Sequence, residues 1–345
     1  GVYAHGNGVK VEIDGASSIS TSGDYAPGVR AYEGASIKSA GKISTLGRGA
    51  HGVEANGATV NLQGGSITTG SAEAYGVSLQ RAGAVSSIEG TSIKTTGDSA
   101  HGVYASNTTL TLNNVKVDTS GTYTAVNGWL SSDSSYGILA SNLSTVSGSA
   151  RITTTGVGAN AAVASFDGML KLKSSVLSTT SDDAHGLVAF SAKAGLDKGA
   201  ITTIGANAYG AVAYGRGIIY GRAPVAPTIS ELNLSSVEVS TSGLGSHGVV
   251  AGGEYIVHGI SQGTSAGNAT LTDTVITTLG GKANAAQVAF GGTLTSTNTT
   301  YSTASDEANG VSADNGKVTL IGGSITTQGN WSNGLWAQNG AEINS

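Results

Sequence analysis

One short phrase, Ala-x-Gly-Val, recurs along the whole chain and restricts its fold more than any other feature. It stands at Ala26–Val29, Ala50–Val53, Ala74–Val77 and Ala100–Val103. Variants follow at Ala184–Leu187, Ala208–Ala211, Ala308–Val311 and Ser332–Leu335, and looser copies centre on Gly137, Ala161, Gly248 and Ala285. With Gly1-Val2 as a copy cut through its middle, there are 13 starts and 12 complete units. A second marker is an apolar residue leading into a Ser/Thr-rich stretch: Ile19, Ile43, Ile67, Ile93 and Val117 in the first units, Ile276, Tyr301 and Ile325 in the last. From this marker to the next Gly/Ala marker is nine residues in 11 of 12 units, the exception being Val117 to Gly137 at 20. The other arc is usually 15 to 18 residues, but 29 from Gly210 to Val239 and 28 from Gly248 to Ile276. Self-similarity at a fixed period of this size marks a repeat architecture.

Each unit carries three short segments with alternating apolar residues. In one unit these are Val53 and Ala55, then Val60 and Leu62, then Ile67, separated by Gly, Asn and Ser corners. Alternation with period two predicts strands. No segment carries a convincing 3.6-residue stripe, which argues against helical repeats of similar length, and the Leu-x-x-Leu-x-Leu core of leucine-rich repeats is absent. Three short strands cannot bury their inner face alone, whereas stacked copies can. The expected fold is an all-β, right-handed parallel β-helix of about 12–13 coils, three strands per coil, with Val53, Val60, Leu62 and Ile67 inward. At about 4.8 Å per coil this predicts a rod roughly 60 Å long, a single domain over residues 1–345.

Composition narrows the function. The 345 residues include 54 Gly, 3 Pro and no Cys, and 11% are charged, against about 25% in an ordinary domain. Without Cys there is no disulfide framework, thiol catalysis or zinc–thiolate site. A net charge of −5 argues against nucleic acid as a partner. No apolar run is long enough for a membrane-spanning helix, and no basic segment leads into an apolar one as in a signal peptide.

Segments such as Gly64-Gly65-Ser66-Ile67-Thr68-Thr69-Gly70 and Ala100-His101-Gly102-Val103-Tyr104-Ala105 resemble the passenger domains of bacterial type V autotransporters, pertactin-like in style. The resemblance covers essentially the whole chain and rests on repeat grammar. It implies a surface-exposed adhesin or virulence factor, on or released from a Gram-negative outer membrane. A signal peptide and a C-terminal translocator barrel are expected in the full-length protein but lie outside this segment.

Catalytic readings are weighed against the repeat. Gly97-Asp98-Ser99-Ala100-His101 resembles a serine-protease nucleophile motif, yet the same corner reads Gly23-Asp24-Tyr25-Ala26, Ser181-Asp182-Asp183-Ala184 and Ser305-Asp306-Glu307-Ala308. Asp there is expected to be a turn residue bonding its own backbone. His51, His101, His185 and His247 share one repeat position. Tyr75 separates the first two, so about 10 Å lies between imidazoles that a zinc site would need to converge. A polysaccharide-cleaving β-helix needs two carboxyls about 5–10 Å apart. Adjacent Asp182 and Asp183 sit in a corner, and Glu231 and Glu238 are seven residues apart with no matching acids on flanking coils. The Asn-x-Ser/Thr triplets headed by Asn107, Asn142, Asn233, Asn268, Asn298 and Asn330 are expected by chance in so Asn- and Thr-rich a chain. The expectation is a non-enzyme with no cofactor and no metal.

Three insertions interrupt the period, near residues 121–135, 215–228 and 252–266. The candidate binding residues they carry are Trp129 in the first, Arg216, Tyr220 and Arg222 in the second, and Tyr255 and His258 in the third. The second and third extend the same arc on consecutive coils, so they are expected to emerge side by side as one patch. Aromatics with Arg suit protein or sugar contacts. Ile218, Ile219, Ile256 and Val257 favour mutual packing for part of each loop. The leading expectation is an adhesin for host matrix protein or glycan. The runner-up is a self-associating passenger that drives aggregation and biofilm.

Overall fold

A computed structural model describes residues 1–81, 85–122, 134–214, 229–253 and 265–345 in full, and the backbone of 125–126, 129–130, 254–257 and 260–264. Among these residues the chain is all-β and forms a parallel β-solenoid of about 12 turns with three strands per coil. It divides into two compact units, Gly1–Ala162 with Gly168–Ser174, and Val163–Asp167 with Ser175–Ser345.

In the N-terminal unit the first strands of successive coils pair in parallel, Val2 with Val29, then Val53, Val77, Val103 and Ile138. The third strands do the same through Ile19, Ile43, Ile67, Ile93, Val117 and Ile152. In the C-terminal unit the first-strand ladder runs Leu187, Ala211, Val249, Ala286, Val311, Leu335. Its third-strand ladder runs Ile201, Val239, Ile276, Tyr301, Ile325. Register follows the repeat markers because a one-residue slip would turn every apolar residue outward.

The core is these stacked columns. Val53 and Val60 are fully buried, and Leu62 and Ile67 are 1% and 2% exposed. Each such side chain contributes about 1.5–3 kcal/mol by burial. Tyr301 takes the place of an isoleucine and stays 2% exposed because its hydroxyl meets Ser296 Oγ at 2.7 Å.

Sequence expects three strands separated by corners in every coil. In five coils the second and third strands instead run together: Thr109–Thr119, Thr145–Thr154, Met169–Thr179, Lys193–Thr203 and Ser230–Thr241. There the bend is made inside the strand by one or two residues of positive φ, such as Asn114 at 51° or Ser236 at 53°.

The marker glycine has a steric cause. A Cβ at Gly52 would lie 2.2 Å from Ile67 Cγ2 and 2.6 Å from the Gly76 carbonyl oxygen, and an equivalent contact recurs at Gly76 with Ile93 Cγ2 and at Gly102 with the Cγ1 methyl of Val117. Cγ2 belongs only to β-branched residues. The two copies with alanine here, Ala161 and Ala285, precede Leu177 and Tyr301, which are not β-branched.

Candidate functional site

The sharp turn between the third strand and the next coil repeats one set of bonds. A buried threonine donates its Oγ1 hydrogen to the carbonyl five residues on: Thr21 to Ala26, Thr45 to Ala50 and Thr69 to Ala74, each at 2.6 Å, and likewise Thr203 to Ala208 at 2.5 Å and Thr303 to Ala308 at 2.7 Å. The residue before the Ala, or before Ser332 in the last copy, takes positive φ, as at Tyr25 (55°), Ser99 (51°), Asp183 (56°) and Trp331 (58°). Ser99 is therefore a corner residue, and its N–H donates to the Thr122 carbonyl on the next coil.

The corner aspartates differ from expectation in their partner. They do not cap their own turn. Asp24 Oδ1 accepts from Arg48 N at 2.8 Å, Asp98 Oδ1 from Thr122 N at 2.9 Å, Asp182 Oδ1 from Ala206 N at 2.7 Å and Asp306 Oδ1 from Asn330 N at 2.7 Å. Each reaches one coil onward, because stacking brings the next coil's corner N–H closer than the residue's own turn does.

The His/Tyr/Asn position works in the same way. His51 Nδ1 accepts from Tyr75 N at 3.0 Å, His101 Nδ1 from Tyr136 N at 3.1 Å, His185 Nδ1 from Tyr209 N and His247 Nδ1 from Asn284 N, both at 3.0 Å. Asparagine supplies the same acceptor, since Asn284 Oδ1 takes Asn309 N and Asn309 Oδ1 takes Asn333 N at 2.8 Å. The rings stack with centroids 4.8 Å apart for His51–Tyr75, 4.7 Å for Tyr75–His101 and 4.7 Å for His185–Tyr209. Nδ1 can accept only in the neutral ring with its proton on Nε2. Burial lowers all four imidazoles from the ordinary value, His101 to about 3 and His185 and His247 to about 4. A Tyr75 ring lies between His51 and His101, so this column is a stack rather than a converging ligand set.

Two insertions carry local sheet that the sequence does not announce. The first includes a two-stranded antiparallel ribbon, Ala125–Val126 with Trp129–Leu130, and the third a longer one, Gly253–Val257 with Ile260–Ser265. Trp129 and Tyr255 lie on these strands, and their side chains fall outside the described residues. Arg216, Tyr220, Arg222 and His258, and with them the expected patch of adjacent loops, also lie outside the described residues. The ends of the third insertion are fixed: Gly252 N–H donates to the Ala213 carbonyl at 2.9 Å, and Gly267 pairs with Ser230.

The carboxyl pair Glu231 and Glu238 is divided by its contacts. Glu231 pairs with Lys193 at 2.9 Å, while Glu238 sits in register with Ala200 and Val275.

A surface the sequence reading passed over lies on the third-strand face of the N-terminal unit. Its outward positions form two columns, Ser18-Lys42-Ser66-Ser92-Lys116-Arg151 and Ser20-Ser44-Thr68-Lys94-Asp118-Thr153. Over its middle coils this face holds a shallow open groove of about 570 Å³ whose lining includes Thr68, Lys94, Lys116, Asp118 and Thr153, with Lys42 and Arg151 outside it. Lys116 pairs with Asp118 at 2.8 Å. Among the described residues Lys42, Lys94 and Arg151 form no ion pair. The same two columns in the C-terminal unit hold one charge, Glu238. The available signal was a Lys or Arg immediately beside the apolar marker, at Lys42-Ile43, Ile93-Lys94, Lys116-Val117 and Arg151-Ile152.

The fold has a counterpart among solved structures. A chain in the cryo-EM structure of the Vag8–C1 inhibitor complex superposes with a TM-score of 0.65 over 99% of this chain and 83% of that one, at 16% identity. At that identity the likeness is one of fold. No family model and no curated protein sequence matches.

Proposed function

We propose that the chain is the passenger segment of an autotransporter, displayed on or released from a Gram-negative surface, and that it acts as an adhesin for host matrix protein or glycan. The observation that carries the reading is the fixed-register coil stack, whose fold likeness to a chain of the Vag8–C1 inhibitor complex spans 99% of this chain. That complex contains a protein partner, C1 inhibitor. A polar solenoid suits display because every coil is held by its neighbours, leaving outward columns and insertions to vary without disturbing the core. The chain binds rather than cleaves in this reading. Asp98, Ser99 and His101 are engaged in coil-to-coil bonds at one corner, and Ser99→Ala leaves any activity unchanged. A fluorophosphonate label abolished by that substitution would contradict it. The adhesion reading is tested by displaying the chain on a non-adherent bacterium and scoring attachment to host cells and immobilised matrix. Attachment above the empty-display strain is expected, and its absence overturns the reading.

A second reading, self-association that drives aggregation and biofilm, is favoured by the neutral column Thr202-Ser240-Thr277-Ser302-Thr326 of the C-terminal unit. A regular row of hydroxyls can zip to a second copy through many weak hydrogen bonds. Clumping of displaying cells without host-cell attachment selects it.

A further inference from the structure

We propose that the basic third-strand face of the N-terminal unit, with the shallow groove at its middle, binds a linear anionic glycan, one bearing sulfate or carboxylate groups along its length. The inference rests on the adhesion reading and gives it a site and a ligand chemistry.

The positive charge is local. The whole chain carries −5, yet this face holds Lys42, Lys94, Lys116 and Arg151 against one acid, Asp118. The last three cations sit on consecutive coils, spaced at about 4.8 Å per coil. A polymer lying along the coil stack therefore meets cations at a regular interval, close to the length of one sugar ring, and can satisfy several at once. All four cations are exposed, and among the described residues Lys42, Lys94 and Arg151 form no ion pair. An incoming sulfate or carboxylate thus gains charge-assisted bonds without breaking existing ones. Between the cations stand short hydroxyls, Thr68, Ser92 and Thr153, the donors and acceptors that sugar hydroxyls need.

The same surface argues against other polyanions. Single-stranded nucleic acid is held by stacking its bases on aromatic rings. The two columns contain none. Nor do the two columns, made only of Ser, Thr, Lys, Arg and Asp, offer the apolar anchor that an acidic protein partner would use.

The test measures binding of the purified chain to a heparin oligosaccharide, with neutral dextran and a single-stranded DNA oligomer as comparisons, at two salt concentrations. Binding to heparin that weakens with salt and exceeds binding to DNA is expected. K94Q/R151Q should lower heparin affinity by about tenfold, as loss of two charged contacts in water would. D118N should raise it, because Lys116 is freed from its ion pair. A merely structural role for the face produces no such opposite signs. K193Q, on the C-terminal unit, should leave affinity unchanged. Circular dichroism of each variant checks the fold. Absence of heparin binding, indifference to K94Q/R151Q, loss of affinity in D118N, or stronger binding to DNA overturns the proposal. Host-cell attachment is scored separately. Attachment that persists in a chain with no heparin affinity sinks the groove and spares the adhesion reading. Heparin binding without attachment does the reverse.

Discussion

At the corner of each coil a few atoms decide which residue is allowed. Gly52 is glycine because the Cγ2 of Ile67 and the Gly76 carbonyl occupy the space of a Cβ. G52A should cost about 1–3 kcal/mol by overpacking, and I67L, which removes Cγ2, should return part of that loss. Urea titration of the two single variants and the double variant measures the coupling, and strict additivity would contradict the steric account. The histidines carry a pH signature. Their folded pKa values lie below the unfolded value of about 6.5, so the unfolded chain binds more protons between that value and about 4. The stability they contribute is complete above pH 6.5 and falls as the pH drops through this window. Asparagine offers the same acceptor without titrating, as Asn284 does for Asn309. Hence H101N with H185N and H247N should flatten the loss of stability between pH 6.5 and 4.5. An unchanged pH profile in thermal melts would show that the imidazoles are not its source.

At the scale of strands and loops, the coil stack tolerates what lies outside its ladders. The third insertion leaves the stack at Gly252 and returns at Gly267, both tied to backbone of the preceding coil. Deleting residues 254–264 should keep the β-sheet circular dichroism spectrum and shift the melting temperature by only a few degrees. Deleting Gly267–Thr272 removes a ladder strand and should abolish cooperative melting. Equal damage from both deletions would mean that the insertion is part of the core. The strands themselves were legible in sequence because the buried residue alternates along each one and the same letter recurs on the next coil. The merged strands were not, since the sequence there still reads as three alternating segments, and the positive φ of Asn114 or Ser236 recurs at Asp273 and Asn298 in coils whose strands stay separate. The corner aspartates were legible as corner residues but not in their bonding, because a partner 24 residues away is invisible to turn chemistry that considers only neighbours.

At the scale of the whole molecule, function is harder to see in the sequence than fold. The sequence marks candidate residues where the period breaks, at the insertions, because aromatics and arginines gather there. The basic face breaks no period. Its cations occupy ordinary outward positions and become a site only when stacking brings Lys94, Lys116 and Arg151 onto successive coils. Everything therefore rests on stacking in register, and distances between cysteine-attached spin labels test it in a chain with no native Cys. Ser20, Lys94, Asp118 and Thr153 share one outward column. Pairs S20C/K94C, S20C/D118C and S20C/T153C should give backbone separations of about 14, 19 and 24 Å, one coil spacing more at each step. The step from Asp118 to Thr153 crosses 35 residues and the step from Lys94 to Asp118 only 24, yet both should add the same increment. Distances that grow with sequence separation, or that fail to rise evenly, would contradict the stack.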